Sequence, residues 1–473
     1  MPAYFPRLIA STLVDIPLWA ILPFVTLLGL IAVMPLTPKA LKHFWEKYYP
    51  HIAALLGVIV VVFYVVSAGL GEGLTRTGHS LHEYFSFICL IGSLFVVSGG
   101  LHIRVGAGGA PTANIVLLLF GAVISNFIGT TGASMLLIRP FINMNKGRVS
   151  AYHIVFFIFI VSNVGGALTP IGDPPLFLGY LRGVPFWWLV GHAFIPWAFT
   201  IGLLLALFYI LDRKNYRRAL RHGHIKDSSE RSTRISIEGL GNLVPLIVII
   251  FAVIEAPAEY FVREIVMIAA AFASYKLTSD RVHASNLFTF GPIKEVAFLF
   301  FGIFLTMMPA LDYLERHGKD MPINEPSHFY FATGALSSVL DNAPTYLNYF
   351  KLVQVKEVPE DFRKANPDEH AWTDYLLSHA DMSAYIVAVS LGAVFFGAMT
   401  YIGNGPNFMV RSIAESAGVK MPSFFGYVIK YSVPYLLPIL ILVGVFFVGS
   451  RPPPEQTKPL STPAAQVQQG VNQ

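Results

Sequence analysis

Two stretches of this chain, far apart in sequence, repeat one unusual pattern inside very apolar surroundings. Residues 166–175 read GALTPIGDPP, and residues 397–406 read GAMTYIGNGP. Glycine and proline interrupt a helix at each stretch and leave backbone amides and carbonyls unpaired, which lipid does not tolerate. Such a break is stable only where it lines a cavity, and a matched pair of breaks in two halves of a chain indicates a transporter's binding site.

The composition places these breaks in a polytopic membrane protein. The 473 residues are 54% hydrophobic and 13% charged, with a mean hydropathy of +0.59, whereas soluble domains carry about 25% charged residues. The single cysteine, Cys89, excludes a disulfide framework or a cysteine metal site. The sequence has no nucleotide-binding loop, so we do not expect an ATP-driven pump. Its cations lie between apolar runs, which is typical of cytoplasmic loops and not of nucleic-acid binding.

Apolar runs predict ten membrane spans, five before and five after a basic connection. The spans lie near 17–37, 51–70, 84–105, 153–170 and 187–211, and near 241–256, 262–277, 291–313, 382–401 and 425–449. Two more apolar stretches, about 111–143 and 328–350, are broken in the middle, and each piece is too short to cross a hydrocarbon core of about 30 Å. We therefore predict two re-entrant hairpins. One kinked crossing in each place is the alternative.

The charges orient the spans and relate the two halves. The connection 212–234 is the most basic in the chain, so we expect it in the cytoplasm. Five spans are an odd number, so the second half is inverted relative to the first, as in many secondary transporters. The predicted fold is therefore all-α, with two inverted-topology repeats of five transmembrane helices, two re-entrant hairpins and two broken helices. Its parts are the first repeat 1–211 (broken helix about 153–175), a basic cytoplasmic linker 212–240, the second repeat 241–450 (broken helix about 382–406) and a disordered tail 451–473.

The predicted hairpin tips also match one another. Residues 125–133 read SNFIGTTGA, and residues 337–345, 212 positions later, read SSVLDNAPT. Hydroxyl and amide oxygens together with freed carbonyls suit hard cations such as Na⁺. The alternative is that these side chains only pack and hydrogen-bond between helices. The candidate residues for binding the ion or substrate are Ser125, Asn126, Thr130, Thr131 and Thr169 in the first half, and Ser337, Ser338, Asn342, Thr400, Asn404 and Asn407 in the second.

Two acids stand out at membrane depth. Asp173 lies in the first break and Asp341 in the second tip, where their equivalents in the other half are Asn404 and Gly129. An ionisable residue at this depth is costly and indicates function, so we predict that both acids couple transport to protons. For Asp173 the alternative is a cap on the helix that begins at Pro174. The proposed Na⁺ ligands are Ser125, Asn126, Asp173 and Asp341.

Residues 162–179, SNVGGALTPIGDPPLFLG, resemble the signature of NhaD-type sodium/proton antiporters. These are grouped with arsenite permeases and with citrate and dicarboxylate carriers in the ion transporter superfamily. The resemblance implies inverted halves, alternating access, a bacterial inner-membrane location and a homodimer. The pair Ser125–Asn126 is similar to the tip motif that holds Na⁺ in the dicarboxylate carriers. The chain departs from that motif because no Thr follows Asn126 directly and because the second tip carries Asp341–Asn342.

These observations favour a Na⁺/H⁺ antiporter, without a cofactor beyond the transported Na⁺ and H⁺. A carboxylate at the tip would repel an anion, which favours a cation as substrate. The alternatives are a Na⁺- or H⁺-coupled carrier of citrate, dicarboxylate or another small anion, and an arsenite permease. A membrane enzyme would need a convergent nucleophile or metal set, which the sequence lacks. A channel would not need a paired site.

Overall fold

The chain is built almost entirely of helices. The structure, a computed structural model, describes residues 16–105, 109–223, 235–256 and 261–449. The predicted tail, 451–473, and part of the basic linker lie outside these ranges. The helices are α1 (Leu18–Leu36), α2 (Lys39–Ala68), α3 (Leu70–Gly99), α4 (Pro111–Met144), α5 (Ala151–Ile160), α6 (Pro174–Leu181), α7 (Trp188–Arg221), α8 (Leu243–Glu255), α9 (Val262–Leu277), α10 (Asp280–Asn286), α11 (Gly291–His317), α12 (Pro326–Ser337), α13 (Asn342–Glu357), α14 (Glu360–Ala365), α15 (Glu369–Leu377), α16 (Ala380–Phe396), α17 (Gly405–Ser416) and α18 (Phe424–Val448).

Eight helices in the described part of the chain are long and apolar enough to cross a membrane. This confirms the prediction of an all-α, multi-pass membrane protein. Helices α2 and α3 each have 30 residues and begin well before the predicted spans 51–70 and 84–105. Their first turns carry charges such as Lys39 and Glu72, which an apolar criterion rejects but which a helix end at the membrane surface accommodates.

A short two-stranded ribbon was missed by the sequence analysis. Strands β1 (His102–Val105) and β2 (Ile235–Glu238) pair antiparallel, with His102 opposite Glu238. The predicted span 84–105 is therefore wrong at its end, because helix α3 stops at Gly99. There the Asn286 side chain donates to the Gly99 carbonyl at 2.7 Å and satisfies a group that the helix leaves free.

Helix α4 folds back on itself at Gly129. This residue has φ 76° and ψ 155°, a conformation that favours glycine. The two ends of α4 are neighbours, since the Gly109 amide donates to the Met144 carbonyl at 3.0 Å. The side chains of Asn114 and Asn145 exchange hydrogen bonds of 2.9 and 2.8 Å at the same place. In the second half, α12 and α13 form the corresponding pair, separated by residues 338–341.

The two helices that precede the breaks lie at the centre of the molecule. Every residue of α5 from Ile154 to Ile160 is fully buried. In helix α16 every residue from Ala388 to Phe396 is likewise buried. Helices that are hydrophobic all round are typical of such a core position. The repeated sequence stretches therefore lie in the interior and not at a lipid-facing surface.

Candidate functional site

The two breaks have the same construction. In the first half, α5 ends at Ile160, one 3-10 turn spans Val164–Gly166, and α6 begins at Pro174. In the second half, α16 ends at Phe396, a 3-10 turn spans Gly397–Met399, and α17 begins at Gly405. The backbone therefore leaves the helix and returns to it at equivalent points of both halves.

Each break closes through a pair of glycines. A Cβ atom on Gly172 would lie 2.1 Å from the Gly166 carbonyl oxygen, and one on Gly403 would lie 2.6 Å from the Gly397 carbonyl oxygen. Both distances are far below van der Waals contact, so no other residue fits without moving the backbone.

The tips hold the breaks by equivalent hydrogen bonds. Thr169 Oγ1 donates to the Asn126 carbonyl at 2.6 Å, and Thr400 Oγ1 donates to the Ser338 carbonyl at 2.7 Å. These bonds satisfy tip carbonyls that lie in the protein interior. The two tips and the two breaks therefore form two matching units.

The units meet at the carboxylate of Asp173, which is 1% exposed. Its Oδ1 accepts from Thr130 Oγ1 at 2.7 Å and from Asn404 Nδ2 at 3.0 Å. Its Oδ2 accepts from Asn342 Nδ2 at 2.5 Å. Thr130 and Asn342 are equivalent residues of the two tips, and Asp173 and Asn404 are equivalent residues of the two breaks. Residues at equivalent positions of both tips and both breaks thus surround one carboxylate.

The position of Asp173 explains why its side chain is free for this role. Asp173 precedes the first residue of α6, where an aspartate commonly caps the helix, but it makes no side-chain capping bond. The next two residues, Pro174 and Pro175, have no amide hydrogen to donate. The carboxylate therefore remains free to accept from Thr130 of the first half and from Asn342 and Asn404 of the second.

A second set of amides connects the two breaks. Asn163 Nδ2 donates to Asn407 Oδ1 at 2.7 Å, and Asn404 Nδ2 reaches Asn163 Oδ1 at 3.2 Å. Asn407 Nδ2 also donates to the Gly397 and Thr400 carbonyls at 2.8 and 2.9 Å. These buried amides satisfy carbonyls that the second break leaves unpaired.

Asp341 and Asn342 line the same region from the second tip. Asp341 caps α13, because its Oδ1 accepts from the Ala343 amide at 3.0 Å. Asn342 is buried, and its Oδ1 has no hydrogen-bond partner among the described residues. A buried amide oxygen without a donor is a potential ligand for a cation.

A small cavity of about 30 Å³ adjoins Asp173. Thr130 and Thr131 line it from the first tip, and Leu90 and Leu94 line it from α3. This volume is about that of one water molecule. Within the described ranges, no lysine or arginine pairs with Asp173. The local chemistry is one carboxylate surrounded by neutral oxygen-bearing side chains, which suits a small hard cation better than an anion.

Comparison with known protein families shows to which family the chain belongs. A family model described as "Putative citrate transport" matches residues 13–448. The chain belongs to this family. No individually curated protein matches it. The predicted membership of the superfamily that includes the citrate carriers is confirmed, and the protein is a secondary transporter.

In this member of the citrate-transport family, the predicted site residues divide into two groups. Thr130, Asp173, Asn342 and Asn404 are brought together directly. Asn407 joins them through Asn163, and Thr131 and Asp341 lie at the edge of the same region.

The other predicted residues bond to the backbone around the breaks. Ser125 Oγ donates to the Val161 carbonyl at 2.9 Å, and Ser337 Oγ donates to the Ala393 carbonyl at 2.6 Å. Asn126 donates to the Gly165 carbonyl at 2.7 Å and accepts from the Leu168 amide at 2.9 Å. Ser338, together with Thr169 and Thr400, also donates to the backbone. In this conformation Ser125 and Asn126 therefore shape the cradle and make no hydrogen bond to Asp173.

The sequence analysis missed Ser162 and Asn163 as members of the site. The Ser162 carbonyl accepts from Asn404 Nδ2 at 3.2 Å, and Asn163 links the two breaks. Both residues open the 162–179 signature, but the equivalent positions of the second half are apolar. A search for repeated polar residues therefore could not find them, whereas an asparagine inside so apolar a run was a usable signal.

Proposed function

We propose that this secondary transporter exchanges Na⁺, or Li⁺, for H⁺ and that Asp173 binds the two cations in turn. The observation that carries the proposal is the convergence of Thr130, Asn342 and Asn404 on one buried carboxylate. A charge at this depth is costly unless it is neutralised or well hydrogen-bonded. A proton or an alkali cation can provide that neutralisation, and the two compete for the same oxygens.

The donors around Asp173 can also serve as ligands. In the arrangement described here they satisfy the carboxylate through N–H and O–H groups, but each of the three side chains also carries an oxygen. Asn342 Oδ1 has no hydrogen-bond partner among the described residues and so is available as a ligand. Rotation of the two amides would present oxygens to a cation next to Asp173. Na⁺ would then be coordinated by groups from both halves of the chain.

Asp341 is proposed as the second coupling acid. It lies one residue from Asn342 and uses only one carboxylate oxygen to cap α13. Its charge favours the entry of a cation into the site and disfavours an anion. Ser125 and Asn126 are proposed to join the Na⁺ shell only if the first tip moves, since both now bond to the backbone.

Alternating access is proposed to rely on inverted repeats. The matching backbone of the breaks and the equivalent tip contacts support this topology. The contact between Gly109 and Met144 supports a first re-entrant hairpin. By resemblance, we also propose a bacterial inner membrane and a homodimer, with the basic linker 212–240 on the cytoplasmic side.

A second candidate function is cation-coupled transport of citrate or another small carboxylate. The description of the family favours it. Arg139 on the return arm of α4 also favours it, because this half-buried side chain has no acidic partner among the described residues. A guanidinium in such a place can bind a carboxylate. Asp173 would then serve as the coupling site for the cation.

Everted membrane vesicles distinguish the two functions. For antiport, NaCl dissipates a preformed pH gradient, and potassium citrate does not. The exposed acid Asp361 offers a matched control, since it belongs to α14, outside the tips and the breaks, and Asp361→Asn is expected to leave the response intact. Uptake of labelled citrate without any effect of Na⁺ on the pH gradient would contradict antiport and support the carrier.

A further inference from the structure

The part of α4 that follows the tip at Gly129 and the helix α13 that follows the second tip are the two return arms. Equivalent faces of these two arms differ in exposure. Thr131, Met135 and Arg139 follow one another at intervals of four, so they lie on one face of the α4 return arm. All three are partly exposed, and Asn143, the next residue on that face, is exposed. We call these four residues the open face. The intervening residues Ser134 and Ile138 are fully buried, so the exposure is confined to one side of the helix.

The corresponding residues of α13 are closed off. The positions 212 residues later are Ala343, Leu347, Lys351 and Val355, which are 0%, 2%, 2% and 0% exposed. We call these four residues the closed face. The two tips are equivalent in sequence, yet this face of the return arm is partly exposed in the first half and buried in the second.

The open face leads toward Asp173. Thr131 lines the small cavity that Asp173 also lines, together with Leu90 and Leu94 of α3. Arg139 and Asn143 continue the same face toward the end of the hairpin. A charged and an amide side chain on a lipid-facing surface would be costly, so this face fits a water-filled passage better than a lipid contact.

An ion bridge lies on the closed face. Lys351 Nζ lies 2.8 Å from Glu315 Oε2 and 2.9 Å from Glu369 Oε1. Its ammonium also lies 4.6 Å from the centre of the Trp372 ring. Glu315 belongs to α11, a helix outside the tips and the breaks. The bridge therefore ties the second tip helix to a flanking helix.

A second bridge shares one of these acids. Arg182 follows α6 directly, and its Nε lies 3.0 Å from Glu83 Oε1 while its Nη1 lies 2.5 Å from Glu369 Oε2. Glu83 belongs to α3, another flanking helix. Both cations thus extend from helices that continue the tip and the break, and two of their partners belong to flanking helices. Glu83, Arg182, Glu315, Lys351 and Glu369 together are called the gate cluster.

We propose that the gate cluster holds the passage along the closed face shut, while the open face is the passage now connected to Asp173. Transport then requires both bridges to break so that the closed face opens. The inference rests on the proposed function only in taking Asp173 as the transport site. Removing one partner of a buried ion pair strongly destabilises the conformation that buries the other charge. Neutralising one member of the cluster is therefore expected to favour the state in which the closed face is accessible.

Cysteine labelling tests this assignment without any transported ion. The chain has one cysteine, so Cys89→Ala gives a clean background. Met135→Cys and Leu347→Cys then place one thiol at equivalent positions of the open and the closed face. With a water-soluble maleimide applied to open membranes, which admit it from both sides, we expect Met135→Cys to react and Leu347→Cys to stay protected.

Opening the gate should reverse that protection. Adding Glu369→Gln, or the paired change Lys351→Gln with Glu315→Gln, to the Leu347→Cys protein should raise its labelling rate at least tenfold. The second combination removes opposite charges together and so guards against misfolding from an unpaired buried charge. Lys319→Gln, which breaks an exposed pair with Glu360, is the control and should change nothing.

Two results would overturn the proposal. One is equal labelling of the two thiols in the background protein, and the other is continued protection of Leu347→Cys in a folded gate variant. Because labelling needs neither Na⁺ nor H⁺ gradients, a failure of antiport in the vesicle assay would leave this result interpretable on its own.

Discussion

The two halves of this transporter repeat a backbone and not a charge. In both, a threonine in the break donates to a tip carbonyl, at 2.6 Å in the first half and 2.7 Å in the second. The equivalent residues that follow, Asp173 and Asn404, differ in one respect, since only the first is an acid. The comparison teaches that both halves contribute equivalent backbone to the site. Because only the first half has an acid at this position of its break, Asp173, the protein has one such site and not two.

The strongest test of this comparison removes the charge. Asp173→Asn keeps the shape of the side chain but removes the carboxylate on which Thr130, Asn342 and Asn404 converge. We expect Na⁺-driven dissipation of the pH gradient in everted vesicles to be abolished, with the protein still present in the membrane. Exchange at the rate of the parent protein would show that a group other than Asp173 binds the transported cation.

A second test moves the charge to the other half. Because Asn404 Nδ2 lies 3.0 Å from Asp173 Oδ1, the double variant Asp173→Asn with Asn404→Asp places an acid at nearly the same point. We expect it to recover part of the activity that Asp173→Asn loses, in the same vesicle assay. If the double variant is as inactive as the single one, the two halves are not interchangeable as carriers of the charge.

A third test weakens the cradle from the first tip. Thr130→Val removes a hydrogen bond to a charged group, worth about 1.5–3 kcal/mol, and removes one oxygen ligand. We expect the Na⁺ concentration for half-maximal response to rise about tenfold or more, since about 1.4 kcal/mol corresponds to a factor of ten. Thr130→Ser keeps the hydroxyl and should resemble the parent, and an unaltered response in Thr130→Val would remove Thr130 from the site.

A fourth test compares the glycines of the two breaks. Gly172→Ala places a Cβ 2.1 Å from a carbonyl oxygen, and Gly403→Ala places one 2.6 Å from its counterpart. Overpacking of this kind costs about 1–3 kcal/mol. We expect both variants to melt earlier in detergent, Gly172→Ala by the larger amount. Melting unchanged in both would mean that the breaks relax easily and are not rigid.

The smallest expected effect is that of pH on the gate cluster. Burial raises the pKa of the Glu369 carboxyl, but Lys351 and Arg182 beside it outweigh burial and hold that pKa well below its usual range. Because this pKa is depressed, Glu369 stabilises the closed state fully at any pH above the ordinary glutamate pKa of about 4.3. This stabilisation is lost only as the pH falls below that value. Glu369 therefore adds no pH dependence between pH 6 and pH 8, and the labelling of Leu347→Cys relative to that of Met135→Cys should be equal at the two values.

The broken helices and the tips could be predicted from the sequence because their signal is local. Glycine, proline and polar residues inside an apolar run have few structural explanations in a membrane, and the repeat doubled the signal. The prediction that Asp173 and the tip residues approach one another rested on that repeat. The structure brings Thr130, Asn342 and Asn404 to Asp173 and leaves Ser125 and Asn126 bonded to the backbone.

The gate cluster and the ribbon could not be predicted in the same way. Arg182 and Glu369 are 187 residues apart, and each alone is typical of an ordinary surface charge. Their pairing follows from the position of Arg182, just after α6, beside α15, for which no local pattern exists. The β1–β2 ribbon likewise joins segments of four residues each, too short for an alternating pattern to be distinguished from a loop.

Proton release from the purified protein tests the central claim most directly. In weakly buffered detergent solution at pH 6, Na⁺ should displace protons from the parent protein, and Asp361→Asn should behave alike. The account predicts a release from Asp173→Asn well below that of the parent protein, because the shared carboxylate is then gone and only Asp341 remains as a coupling acid. Release of the same size from Asp173→Asn would contradict it.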